Sequence, residues 1–189
     1  MNPRERIVSA LGALASLAEA TAGQAGQILE LAERYRAVLA GGGTLFFAGN
    51  GGSAADAQHI AAEYVVRFRS ARAGLPAIAL TTDSSVLTAA GNDLGFDRIF
   101  ARQVEALCRR GDLLVLHSTS GDSENVVQAA RAARQRGVAV VALAGKGGGR
   151  LVQEADLAFV VPSDDTARIQ EIQLAVQHVI AELLDQEGA

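Results

Sequence analysis

The chain has 189 residues, which is enough for one domain with a substantial core and short for two. A net charge of -4 argues against a general nucleic-acid or anionic-membrane surface, and no apolar run resembles a signal peptide or approaches the roughly 20 residues of a membrane span. Cys108 is the only cysteine, so no internal disulfide can form. We therefore expect one cytoplasmic domain, residues 1–189, that binds neither nucleic acid nor membrane.

The first forty residues carry apolar side chains at helical spacing, from Ile7 to Leu17 and again from Ile28 to Val38. Glycines near residues 23–26 predict a break between two helices, and the three glycines at 41–43 predict the end of the second. Residues 1–40 are thus expected to form an N-terminal helical segment. This segment has no other obvious partner in the sequence, which is consistent with a role in oligomerisation.

Five short apolar runs follow, at residues 44–48, 77–80, 113–116, 138–143 and 157–161. Each is bounded by Gly, Pro, Asp or Ser, as is typical of buried parallel strands. Helices are predicted between them at 53–68, 97–109 and 124–135, and a last helix at 166–186. This alternation predicts an α/β fold, a single-domain, doubly wound, five-stranded parallel sheet. Ligands of such sheets bind beyond the carboxyl ends of the strands.

The loop after the first strand matches the dinucleotide fingerprint G-x-G-x-x-A, because it has the sequence Gly49-Asn50-Gly51-Gly52-Ser53-Ala54. The fingerprint also requires an acid at the end of the second strand, to hold a ribose hydroxyl. Here that strand ends in Leu80-Thr81-Thr82, and Asp83 comes late. A nucleotide-dependent oxidoreductase is therefore an alternative that rests on this one motif.

The loop after the third strand, residues 118–123, has the sequence Ser-Thr-Ser-Gly-Asp-Ser, and we call it the serine loop. Four hydroxyl groups precede a predicted helix, whose free N–H groups and positive dipole end bind phosphate readily. Ser, Thr and Asp are also common helix caps, so an ordinary capping cluster is the alternative. The density of hydroxyls favours a phosphate site. The glycine-rich loop 145–149 lacks the spacing of a Walker A motif, and we interpret it as a surface turn.

Two predicted helices carry groups that could perform chemistry. His59 and Glu63 are four residues apart and so share a helical face, and the last helix carries Gln170 and His178 on another stripe. These four side chains could bind zinc, with Gln as the rarer ligand, or could supply a carboxylate base and an imidazole acid. A solvated His–Glu ion pair is the alternative. His117, at the end of the third strand, is expected to line the site.

Taken in order, these motifs resemble a known family over nearly the whole chain. They are Gly49-Asn50-Gly51-Gly52-Ser53, the pair His59 and Glu63, Gly91-Asn92-Asp93, Ser118-Thr119-Ser120-Gly121, and Arg168-Ile169-Gln170-Glu171 with His178. The combination is similar to the phosphoheptose (sedoheptulose 7-phosphate) isomerase family of SIS, or sugar isomerase, domains. The resemblance implies a flavodoxin-like sheet and a homotetramer with active sites shared between subunits.

The implied reaction converts D-sedoheptulose 7-phosphate to D-glycero-D-manno-heptose 7-phosphate through an enediol. It is the first step toward activated heptose for lipopolysaccharide and other cell-surface polysaccharides. By the same resemblance, one zinc ion per subunit is held by His59, Glu63, Gln170 and His178, and Glu63 and His178 form the acid/base pair. These two assignments conflict, because a carboxylate and an imidazole bound to a metal are poor proton shuttles.

The resemblance also implies the substrate-binding residues, with Arg67 reaching a neighbouring subunit's site. They are Asn50, Gly51, Gly52, Ser53, Glu63, Arg67, Asn92, Asp93, Ser118, Thr119, Ser120, Ser123 and Gln170.

Residues 81–88 depart from the family pattern, because this stretch is one residue longer than in some members. It is similar there to a non-catalytic cousin that binds the replication initiator DnaA. That cousin lacks the glutamate and the histidine that this chain keeps as Glu63 and His178, so their presence favours an enzyme. The alternative function is a non-catalytic SIS module that binds a sugar phosphate or DnaA.

Overall fold

The structure is a computed structural model and describes residues 1–186. Its strands are β1 (Leu45–Gly49), β2 (Ala77–Ala79), β3 (Leu113–Ser118), β4 (Ala139–Ala144) and β5 (Leu157–Val160). Its helices are α1 (Pro3–Ala22), α2 (Ala25–Ala40), α3 (Gly52–Val65), α4 (Ser84–Leu94), α5 (Ala101–Leu107), α6 (Glu124–Gln135), α7 (Gly149–Glu154) and α8 (Thr166–Gln186). A short 3-10 turn, Phe96–Arg98, precedes α5.

The five strands form one parallel sheet in the order β2-β1-β3-β4-β5, which confirms the predicted α/β fold. Every residue of β1 and β3 is buried, as expected for strands covered on both faces. The chain winds to one side of β1 through β2 and to the other side through β3, β4 and β5. The switch point therefore lies between β1 and β3, where doubly wound sheets bind their ligands.

Helices cover both faces of the sheet. On one face, α2, α3 and α8 enclose a core that contains Tyr35, Phe47 and Tyr64, and on the other face α4 to α7 pack over Phe100 and Leu116. Helix α1 lies against α8, where the Arg168 guanidinium donates to the Ala10 carbonyl at 2.7 Å. This arrangement places α3 and α8 side by side, and these are the helices with the predicted chemical groups.

The N-terminal segment forms two helices, as predicted, and residues at the start of the first helix cap it. The Asn2 side chain accepts from the Glu5 amide, and the Glu5 carboxylate accepts from the Asn2 amide, which is a capping box. Helix α1 ends at Ala22 with Gly23 as its C-cap, whereas Gly26 lies inside α2. Within residues 1–186, no helix is both long and apolar enough to cross a membrane.

Two helices were not predicted, and two predicted boundaries were wrong. Helix α4 is rich in poor helix formers, but Asp83 caps it by accepting from the Val86 amide, and Ala90 is buried against the core. Helix α7 is the other unpredicted helix. The segment 97–109 is split by the 3-10 turn, and α3 ends at Val65 rather than Phe68.

Candidate active site

A cavity of about 290 Å³ lies at the carboxyl ends of β1 and β3, at the switch point of the sheet. The loops after both strands contribute to it, together with the start of α8. Its lining residues are Asn50, Gly51, Gly52, Ser53, His117, Ser118, Thr119, Ser123, Thr166 and Gln170. Of these, Thr166 is the one that the sequence analysis did not anticipate. The feature that could have indicated Thr166 is its position as the first residue of the last helix, in the connection that follows β5.

The loop after β1 passes very close to α8. A Cβ atom on Gly52 would lie 2.7 Å from the Gln170 side-chain nitrogen, so a larger residue cannot fit there without displacing Gln170. The same Gln170 nitrogen donates to the Ser53 hydroxyl at 3.4 Å. Gln170 is thereby fixed beside the first turn of α3, with its amide at the cavity.

The serine loop is braced by two of its own hydroxyls. Ser118 Oγ accepts from the Gly121 amide and Ser120 Oγ accepts from the Asp122 amide, each at 3.1 Å. Ser123 occupies the N-cap position of α6, but its hydroxyl makes no capping hydrogen bond in the described chain. An ordinary cap would use that hydroxyl on the helix. Here Ser123 lines the cavity instead, directly before the N-terminus of α6, where an anion would meet the positive end of the helix dipole.

Asn125, which the sequence analysis missed, joins the two cavity loops. Its side-chain amide and that of Asn50 donate to one another, with both N–O distances at 2.8 Å. Asn125 is buried in the first turn of α6, behind the serine loop. This reciprocal pair fixes the loop after β1 relative to the loop after β3. Nothing in the local sequence around Asn125 indicates such a partner, because Asn50 lies 75 residues away.

The glycine-rich loop 145–149 supports the serine loop, whereas we predicted a surface turn. The Leu151 amide donates to the Gly121 carbonyl at 2.9 Å, and a Cβ on Gly121 would lie 1.9 Å from the Gly148 carbonyl oxygen. Gly121 also has a φ of 70°, in the left-handed region. The two loops are therefore in direct backbone contact, and only glycine fits at residue 121.

His59, Glu63 and His178 come together between α3 and α8. His59 Nε2 lies 3.2 Å from Glu63 Oε1 and 3.3 Å from His178 Nε2. The His178 ring also stacks on Phe68, with ring centroids 5.4 Å apart. The simple solvated ion pair therefore does not describe this site, because a third side chain from another helix completes the group.

This cluster has the chemistry and spacing of a zinc site. Zinc–nitrogen bonds of about 2.0–2.1 Å in a tetrahedron place two ligand atoms about 3.3 Å apart, which matches both distances. The ligand atoms of the three residues all lie within 4.8 Å of one another. Burial and the neighbouring His59 lower the pKa of His178, so its imidazole is neutral near pH 7, as a metal ligand must be.

An ion pair outside the cavity fixes α3 against α8. The Arg72 guanidinium donates to the Glu63 and Tyr64 carbonyls and to Asp185 Oδ1, all within 2.8 Å. Burial alone would raise the pKa of Asp185, but hydrogen bonds from the Ser70 amide, Arg72 and the Arg69 amide lower it to about 2. The end of α3 that carries Glu63 is thereby anchored to the end of α8. Sequence reasoning missed this pair, since 113 residues separate its two members.

Comparisons with known proteins identify the family of this chain. The family model described as SIS domain matches residues 11–145. A phosphoheptose isomerase from Roseiflexus sp. (strain RS-1) is 57% identical over 162 residues, which cover 86% of this chain and 82% of the relative. Another from Geobacter sulfurreducens is 54% identical over 161 residues, 85% of each protein. The chain belongs to the phosphoheptose isomerase family of SIS domains.

Solved structures of this family have the same fold. A phosphoheptose isomerase from Neisseria gonorrhoeae is 41% identical, with a TM-score of 0.92 over 98% of this chain and 100% of that one. Another, from Francisella tularensis, is 37% identical, with a TM-score of 0.95 over 99% of this chain and 100% of that one. The predicted family and the predicted flavodoxin-like fold are both confirmed.

Five residues with predicted substrate roles do not line the cavity described here, and one of them, Glu63, lies in the cluster with His59 and His178. Asn92 and Asp93 are exposed at the end of α4, where the Asn92 amide donates to the Asp93 carboxylate at 2.7 Å. Arg67 is exposed just beyond α3, and Ser120 uses its hydroxyl inside the serine loop. Their roles in substrate binding stay predictions.

Proposed function

We propose that this enzyme converts D-sedoheptulose 7-phosphate to D-glycero-D-manno-heptose 7-phosphate, the first step of activated heptose biosynthesis. One observation carries the proposal. Helices α3 and α8 each run from the cavity at the carboxyl ends of β1 and β3 to the His59–Glu63–His178 cluster. His59 follows Gly52 by seven residues and His178 follows Gln170 by eight. At 1.5 Å per residue, these separations are about 10–12 Å, similar to the length of an extended seven-carbon sugar phosphate.

The phosphate end of the substrate binds at the serine loop. Ser118, Thr119 and Ser123 supply hydroxyl donors, and the first turn of α6 supplies backbone N–H groups and the positive end of its dipole. Asn50, Gly51, Gly52, Ser53 and Gln170 contact the sugar hydroxyls. Ser120 contributes through the loop that it braces. The support is the cavity lining together with the uncapped N-terminus of α6.

The isomerisation moves one proton between C1 and C2 and another between their oxygens. Glu63 takes the proton from carbon, and His178 transfers the proton between the oxygens. The lowered pKa of His178 supports this role, because a neutral imidazole can accept a proton at neutral pH. The contact between His178 and Phe68 holds the ring in place during the transfer.

We further propose that His59, Glu63 and His178, with Gln170, hold one zinc ion per subunit. When bound, the ion polarises the substrate carbonyl and stabilises the negative charge that develops on its oxygen. The spacing of the three side chains supports this assignment. Since ligation and proton transfer compete for Glu63 and His178, the two roles belong to different states of the site.

The active unit is a homotetramer with shared sites, built through the N-terminal helical segment. An apolar groove of about 520 Å³ lies between α1, α2 and α8, and Ile7, Val8 and Leu11 of α1 are each more than 60% exposed. Exposed apolar surface of this kind marks a protein interface. A neighbouring subunit would also bring a second Arg67, Asn92 and Asp93 toward the site. The enzyme works in the cytoplasm, where its single buried cysteine stays reduced.

The test is to incubate the protein with sedoheptulose 7-phosphate, with and without added zinc, and to follow the aldose product by NMR. The Glu63→Gln variant should lose turnover by at least about a hundredfold while keeping substrate affinity. Glu33→Gln is the matched control, because Glu33 is an exposed glutamate on α2. Binding of the sugar phosphate without any conversion by the wild-type protein would identify a non-catalytic SIS module instead.

A further inference from the structure

Arg150 forms hydrogen bonds to the turn that leads from the serine loop into α6. Its guanidinium donates to the Asp122 carbonyl at 2.7 Å, to Asp122 Oδ1 at 3.3 Å and to Glu124 Oε2 at 2.7 Å. Its backbone amide also donates to Asp122 Oδ1 at 3.0 Å. A single residue of α7 thus binds both acids of this turn.

These two acids stand on either side of Ser123, the N-cap residue of α6 that lines the cavity. Both would repel a phosphate dianion bound at that position, because like charges at short range raise each other's energy. Hydrogen bonds from Gln128 and Arg150 lower the pKa of Glu124, so this carboxylate is ionised at neutral pH. The phosphate site therefore has two negative charges beside it and depends on a nearby compensating charge.

The cavity itself supplies no such charge. Among the described residues that line it, none is a lysine or an arginine, and its only titratable side chain is His117. Burial lowers the pKa of His117 to about 4, so that imidazole is neutral as well. The donors of the cavity are neutral hydroxyls, amides and a helix end. Arg150 is the arginine that contacts the two acids directly.

We propose that Arg150 is a positioning residue for the phosphate end of the substrate. It neutralises Asp122 and Glu124 and holds their carboxylates in the contacts described above, so that the serine loop and the first turn of α6 can accept a dianion. Arg150 acts through these two acids and makes no contact with the substrate. This inference rests on the proposed binding of a sugar phosphate at the serine loop.

The first test compares the Arg150→Met variant with the wild-type enzyme. We expect the Kd and KM for sedoheptulose 7-phosphate to rise on the order of three- to tenfold at low ionic strength, with kcat unchanged. The difference should shrink as salt is added, because exposed charges are screened. Arg134→Met is the matched control, since Arg134 is a similarly exposed arginine that pairs with Glu154. It changes the net charge equally and should leave Kd unchanged.

The second test is a charge rescue. The triple variant Arg150→Met, Asp122→Asn, Glu124→Gln removes both acids with the arginine and keeps their hydrogen-bond acceptors. Its Kd should return to within about twofold of wild type if electrostatics dominate. A triple variant as weak as Arg150→Met alone would overturn the inference, and so would an Arg150→Met variant that binds as tightly as wild type.

A loss of fold is distinguished by the Arg150→Lys variant, which keeps the positive charge and should retain most of the affinity. Wild-type protein that binds no sedoheptulose 7-phosphate would refute the proposed function rather than the role of Arg150. The same series is then measured with inorganic phosphate as the probe. An unchanged Kd for phosphate in Arg150→Met would in that case refute the role of Arg150 as well.

Discussion

The stability of this protein should depend on pH through His117. This side chain is fully buried at the end of β3, and burial lowers its pKa to about 4. Its Nε2 atom lies 3.2 Å from the Gln177 side-chain nitrogen, which is a donor, so the imidazole must accept there. Protonation would place two donors face to face. The contact thus favours the same neutral form as burial does.

Proton linkage gives the direction in which the free energy of unfolding changes with pH. Between pH 6.5 and about 4 the unfolded chain binds a proton at His117 and the native protein does not, so the free energy of unfolding falls as pH falls. Each pH unit costs about 1.4 kcal/mol, which gives a loss of about 3 kcal/mol over this window from one residue. The stabilisation is fully present above pH 6.5 and is lost as pH falls to about 4.

The measurement is urea unfolding of wild type and His117→Gln between pH 7.5 and 4.5. Protein concentration is held constant, because assembly makes apparent stability depend on it. The other titrating groups are common to both proteins and cancel in the difference. The stability difference should shift by about 2–3 kcal/mol in favour of the variant as pH falls. Parallel curves for the two proteins would refute the reasoning.

Three further predictions concern the helices around the site. Asp185→Asn should lower the free energy of unfolding at pH 7 by about 2 kcal/mol, because the lowered pKa of Asp185 reflects that much stabilisation of its charged form; an unchanged urea midpoint would contradict this. The proposed zinc site gives one ion per wild-type subunit. His59→Ala should reduce this to nearly none by elemental analysis, whereas Gln58→Ala, its exposed neighbour, should retain zinc. Leu11→Glu should convert the proposed tetramer to smaller species by light scattering, and a variant that assembles like wild type would exclude α1 from the interface.

The sheet was predictable because its strands are buried on both faces and therefore appear as uninterrupted apolar runs. Helix α4 was not predictable in the same way. Its Ser, Thr, Gly and Asn residues favour loops, and it forms because Asp83 caps it and Leu87 and Ala90 pack on the core. Local pattern fails where a cap and tertiary packing decide the structure.

The candidate site was likewise predictable from the sequence only in part. His59 and Glu63 share a face at helical spacing, so their proximity could be predicted from the sequence. The approach of His178 could not be predicted from spacing, since it lies 119 residues from His59 and depends on how α3 packs on α8. The Arg72–Asp185 pair and the Asn50–Asn125 pair were missed for the same reason. The resemblance to a family brought the distant residues together, and residue periodicity did not.

Both ends of the proposed substrate are held by rigid parts of the fold. The Asn50–Asn125 pair and the backbone contact at Gly121 fix the phosphate end, and the Arg72–Asp185 pair fixes the helices that carry Glu63 and His178. The phosphate site and the proton-transfer groups are therefore held at a fixed separation by the fold itself. In the proposed reaction, the binding energy of the phosphate places the carbonyl for proton transfer.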